Sequence, residues 1–263
     1  MKETSGLIHW NNRLWTHNDD TDTNLYALDT LTGTILETYE LPNVTNTDWE
    51  ELSQDDTYFY LGDFGNNASG NRKDLHILRI EKNTLLKRQP KIDTIAFSYD
   101  NQHDFTKQRA NTTDFDCEAF VVTQDSLYLF TKEWHTQQTS IYTLPKVPGN
   151  YKVYKKESYD VKGLITGAAY LESKKIIALC GYTKTGRPFL YLLSDFKGYN
   201  FFSGTKRRLK LQSRFCQIEG IATIDGTHFY LTNEKLHFAV INTPQQMEVL
   251  DLSQFFKSKI IAY

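Results

Sequence analysis

A chain of 263 residues, 40% hydrophobic and 14% aromatic, has enough apolar surface to bury a large core and is not a disordered composition. A formal charge of −2 lacks the basic excess of a general nucleic-acid surface, so nucleic acid is not an expected partner. No apolar run is long enough to span a membrane.

The first predicted unit has inner strands near 6–9 and 13–17, then 24–28 and 34–41, the last two alternating apolar and polar residues as half-buried strands do. The second has an inner hairpin from Glu50-Glu51-Leu52-Ser53 to Phe59-Tyr60-Leu61-Gly62-Asp63. It continues, after the turn-forming stretch 65–70, with strands at 75–80 and 92–99. Residues 100–115 are polar and aperiodic and read as an inserted loop, with a degenerate extra blade as the alternative. The third unit runs from Glu118-Ala119-Phe120-Val121 through 127–132 and 140–144 to 152–159. The fourth runs from Thr166-Gly167-Ala168-Ala169 through 176–179 and 189–193 to 207–211. The fifth starts at Glu219-Gly220-Ile221 and returns at 229–231, with outer strands expected at 238–242 and at 249–252 or 260–263. The basic run at 206–210 reads as a solvated outer strand. No stretch sustains helical periodicity.

The same hairpin is thus written five times, led by Ser5, Glu50, Glu118, Thr166 and Glu219, and each repeat is about one blade long. The fold expected is all-β: a five-bladed β-propeller with four-stranded blades, residues 1–263 forming a single domain, and six blades as the alternative. First strands line the axis of a propeller, so the five leaders should converge there. Three carboxylates at one point must be protonated, hydrated or neutralised by a cation. An all-oxygen set with room for water suits Ca²⁺ better than Zn²⁺ or Mg²⁺. The competing reading is that the leaders only hydrogen-bond backbone amides of neighbouring blades.

Ser5-Gly6-Leu7, Glu50-Glu51-Leu52-Ser53 and Glu219-Gly220-Ile221 resemble the repeated signatures of the five-bladed calcium-activated nucleotidases (apyrases). Glu3-Thr4-Ser5-Gly6-Leu7 and the Glu-Gly-Ile motif also resemble the bacterial SdiA-regulated propellers. The resemblance spans the chain and implies Ser5, Glu50, Glu118, Thr166 and Glu219 as calcium-site residues. Apyrases follow the first inner hairpin with acids and an arginine, whereas His17-Asn18-Asp19-Asp20-Thr21 has no arginine.

Leader and return strand place Asn18, Lys132, Lys184, Asn233 and Lys235 at one channel mouth. The lysines after three successive second strands suit an anionic or sugar-like ligand such as a phosphate or a carboxylated sugar. Trp49 and Trp134 could stack on a ring or wedge between blades. A calcium-centred binding or scaffold module is the leading expectation. The alternative is a calcium-dependent phosphohydrolase of the apyrase kind, with Asp63, Asp116 or Asp19 as general base. Cys117, Cys180 and Cys216 have neither metal spacing nor an even count and read as core residues. A monomer, secreted or periplasmic, is expected, although Met1-Lys2-Glu3 runs into the first blade with no visible leader.

Overall fold

The computed structural model describes residues 3–212, 217–238 and 241–256. They form a five-bladed β-propeller. Blade one is the consecutive meander β1 (Thr4–Trp10), β2 (Arg13–Asn18), β3 (Asn24–Leu28) and β4 (Ile35–Glu40). Blade two holds β5 (Trp49–Gln54), β6 (Tyr58–Asp63), β7 (His76–Glu81) and β8 (Ile92–Tyr99), with a short helix, α1 (Lys82–Leu86), before β8. The sequence pattern gave no hint of α1, because a single turn is too short to show periodicity.

Blade three holds β9 (Cys117–Val122), β10 (Ser126–Thr131) and β11 (Thr139–Pro145). The stretch expected to be its fourth strand is in fact two. β12 (Gly149–Val153) crosses over and pairs in parallel with β8 of blade two, and β13 (Lys155–Tyr159) returns to complete blade three. The crossing covers the backbone donors and acceptors that β8 would otherwise expose as an edge. Blade four is β14 (Leu164–Leu171), β15 (Ile176–Tyr182), β16 (Pro188–Ser194) and β17 (Thr205–Lys210).

Blade five is formed by β18 (Ile218–Thr223) and β19 (His228–Asn233), followed by a side hairpin, β20 (Leu236–Phe238) with β21 (Ile241–Thr243), and by β22 (Gln246–Asp251). The third strand of this sheet is β22, register-matched to β19, and not 238–242 as expected. The segment 260–263, as well as Cys216, lies outside the described residues.

Apolar residues of adjacent blades interdigitate at every junction. Trp15 packs with Phe59 between blades one and two, Tyr60 with Phe120 between two and three, Phe130 with Phe189 between three and four, and Leu190 with Phe229 between four and five. Leu7 and Leu14 meet Ala222 between blades five and one, closing the ring. Each large side chain so buried contributes roughly 1.5–3 kcal/mol. Cys117 and Cys180 are buried free thiols. Residues 100–115 form no strand; they lie against the 65–70 loop, with Gln108 N–H donating to Ser69 O and Asn111 N–H to Asn67 O. No sixth blade exists among the described residues.

Candidate metal centre

Every inner hairpin carries a β-bulge at the start of its first strand. In blade two the ladder pairs Trp49 with Asp63 and then Glu51 with Gly62, skipping Glu50. Glu118, Thr166 and Glu219 are skipped in the same way in blades three, four and five. A bulge releases one residue from the ladder and re-aims its side chain, which is how a carboxylate leaves the pleat and turns toward the axis. Blade one differs by a step: Ser5 stays paired with His17, and the irregularity falls between Ser5 and Ile8. Gly6 takes φ +61° there, and a Cβ on it would come within 2.5 Å of Leu52 N, so only glycine fits.

The two hydroxyl leaders staple blades together. Ser5 Oγ donates to Glu50 O at 2.5 Å, and Thr166 Oγ1 donates to Ile218 O. Two of the acidic leaders, Glu50 and Glu118, come together with Asp116. Carboxylate oxygens of Glu50, Asp116 and Glu118 lie within 4.8 Å of one another, all three residues buried. Asp116 is oriented by Asn66 N–H and Trp134 Nε1–H, each 2.7 Å from a different carboxylate oxygen. Glu219, on the fifth blade, stands outside this trio, and its buried Oε2 has no hydrogen-bond partner.

Lys132 enters this cluster. It was expected on the rim as a ligand-binding cation, but its side chain is 4% exposed and its ammonium sits 2.9 Å from Glu118 Oε1. The rings of Trp134 and Tyr182 flank it, with centroids 4.9 and 5.4 Å from Nζ. Burial alone would lower its pKa; Glu118, Tyr182, Glu219 and Asp116 outweigh burial and hold it well above the usual lysine value. Lys184 and Lys235 are exposed, so Lys132 is the buried one of the three.

The other expected positions are also occupied by internal partners. Asp63, a suggested general base, is buried, paired to Arg72 at 2.7 Å, and accepts Thr47 N–H at 3.1 Å. Asn233 Nδ2 donates to Glu234 O and Pro244 O at 2.8 and 2.9 Å, and Asn18 Nδ2 donates to Asp22 Oδ2. Trp49 is core, edge-on to His17. Asp19 alone among the suggested bases is partly open, in a second acidic group with Glu3 and Asp20.

A further buried glutamate, which the sequence did not single out, links blades two and four. Glu51, fully buried, accepts Leu52 N–H at 2.9 Å and, across the axis, Ala168 N–H at 2.8 Å. Gly167 lies beside it: a Cβ there would touch Glu51 Oε2 at an ordinary 3.5 Å but crowd Cys180 Sγ at 2.9 Å. Burial pushes the Glu51 carboxyl well up, opposed by the N–H groups of Ala168, Leu52 and Leu7.

The mouth gathers more acidic groups than basic ones, and burial holds their protons on. Burial, then Glu118, raises Glu50 and Asp116 well above ordinary carboxylate values; burial also raises Glu219. Asp48 is pushed up to about 6 by burial and Asp116, Asp19 to about 7 by burial and Glu3, and Glu234 to about 7 by burial and Asp19. Lys132 is one positive charge among them. An oxygen-only donor set with an excess of carboxylates fits a hard divalent cation.

No protein-family model matches the chain, and no curated protein matches it. The solved structures similar to it include a mitotic checkpoint complex (14% identity, 86% of this chain and 57% of that chain covered, TM-score 0.41). They also include a mutant apocarotenoid oxygenase of Synechocystis (10% identity, 95% and 57% covered, TM-score 0.42). The chain therefore spans little more than half the length of each, and likeness at this level carries no argument about activity. No helix among the described residues is long and apolar enough to cross a membrane.

Proposed function

We propose that this propeller is a binding module built around a calcium ion held by Glu50, Asp116 and Glu118, with Glu219 completing the ring on the fifth blade. The observation that carries the reading is the buried trio with oxygens within 4.8 Å of one another, faced by a single ammonium. Glu50, Asp116, Glu118 and Glu219 outnumber Lys132, and carboxylates this dry are stable only when protonated or matched by cations. A divalent ion would neutralise them and leave its solvent side for the oxygen of an anionic or sugar-like ligand, recognised at the mouth where Lys184 and Lys235 are exposed. Because Lys132 is spent on Glu118, recognition of an anion would run through the metal more than through a lysine cluster.

One observation favours the phosphohydrolase alternative: a carboxyl at about 7, Asp19, stands at the mouth and could take a proton from water at neutral pH. Asp63 and Asp116 are tied to other donors and do not serve this role. Thermal melting in chelator, calcium, magnesium and zinc, paired with phosphate release from nucleoside diphosphates, tests both readings. The binding module predicts selective stabilisation by calcium and no turnover. Calcium-dependent release that Asp19→Asn abolishes would replace it with the enzyme, and melting indifferent to every metal would remove both.

A further inference from the structure

We propose that the perimeter groove between blades four and five is a docking surface for an extended acidic peptide bearing apolar side chains. The groove encloses about 950 Å³, the upper range of ligand-binding cavities. Its apolar wall is Ile176, Leu192 and Phe196 from blade four with Phe255 and Phe256 from the turn after β22. Its charged rim is Lys174, Lys175 and Arg207, with Asp195 the one acidic lining residue among those described. That is a local basic excess on a chain whose formal charge is −2.

β17 forms one side of the groove and is the terminal strand of its sheet, hydrogen-bonded to β16 alone among the described residues. Its basic residues divide by face. Lys206 donates to Phe202 O and Gly204 O, and Arg208 lies over the Phe189 ring, so both are committed to their own blade. Arg207 turns to the groove and donates to Phe255 O at 2.6 Å, holding the far wall in place. Backbone edge, apolar wall and basic rim are together what an added acidic strand requires. The same protein shows that a blade edge accepts one, since β12 lies in parallel on β8. A nucleic acid fits less well, because phenylalanine and isoleucine line the wall and an aspartate sits on the rim.

The test is fluorescence anisotropy with a short labelled peptide alternating aspartate or glutamate with valine or isoleucine, against a lysine-for-acid counterpart. The proposal predicts saturable binding of the acidic peptide only, weakened by salt. It predicts at least about tenfold weaker binding to the Lys174→Glu/Lys175→Glu double variant, whose melting should be unchanged because both side chains are exposed. Amide exchange should slow along Thr205–Lys210 on binding. The proposal is overturned by absence of saturable binding, by equal binding to the double variant, by unprotected β17 amides, or by a single-stranded oligonucleotide that competes more strongly. Binding that appears only once residues 257–263 are removed would also overturn it, by assigning the groove to the chain itself.

Discussion

The Lys132 ammonium and Glu118 Oε1 form a buried ion pair, 2.9 Å apart, beside two further carboxylates. The pair divides the hub's charge problem in two: one carboxylate is neutralised from within the chain, and the others are left to the medium.

Replacing Lys132 with methionine separates these roles. Removing one member of a buried pair leaves Glu118 uncompensated and typically costs about 3–5 kcal/mol. Urea denaturation in chelator should show a loss of that order. The same change removes a positive charge from the cation's surroundings, so calcium affinity should rise. A variant that is less stable and binds calcium less well would contradict the account.

The mouth carboxyls give the metal-free protein an unusual pH dependence. Asp19 moves from 3.8 to about 7 and Glu234 from 4.5 to about 7 on folding. The folded state therefore holds more protons than the unfolded one between these values, and stability falls as pH rises from about 4 to about 7. Denaturation midpoints in chelator should decline across this window, and saturating calcium should flatten the decline. A midpoint that rises across it in chelator would show that the mouth carboxyls do not hold their protons as described.

Glu51 should be a stability residue and not a metal ligand. Glu51→Ala leaves the N–H groups of Leu52 and Ala168 buried without an acceptor, at about 1–3 kcal/mol each. Glu51→Gln should lose less, because the amide keeps one carbonyl oxygen. Calorimetry on Glu51→Gln should find calcium affinity close to that of the parent chain, whereas Glu118→Gln should lose at least about tenfold.

Much of the architecture was legible in the sequence because each blade repeats one short-range rule: a bulged leader, a small or apolar residue, a turn and an apolar return strand. Glu50, Glu118, Thr166 and Glu219 obey it to the residue, and Ser5 misses by one step because Gly6 adopts a left-handed conformation against Leu52. What was not legible depends on distances between blades. Lys132 follows a second strand as Lys184 and Lys235 do, and only the approach of Glu118, Trp134 and Tyr182 turns it inward. Asp63 looked free until the fold brought Arg72 against it, and Asp116 looked like a base until it lay beside Glu50. Residues 149–153 carry a normal strand pattern, but no local signal says which blade they join. The adjacency of two glutamates at 50 and 51 concealed that a bulge sends one to the trio and the other across the axis.

The measurement closest to the central claim is calorimetric titration of chelator-treated protein with calcium, repeated on Glu50→Gln and Glu118→Gln variants of unchanged fold. The account predicts one calcium per chain in the parent and at least about tenfold weaker binding in each variant. No heat of calcium binding in the parent, or binding that neither substitution alters, would contradict it.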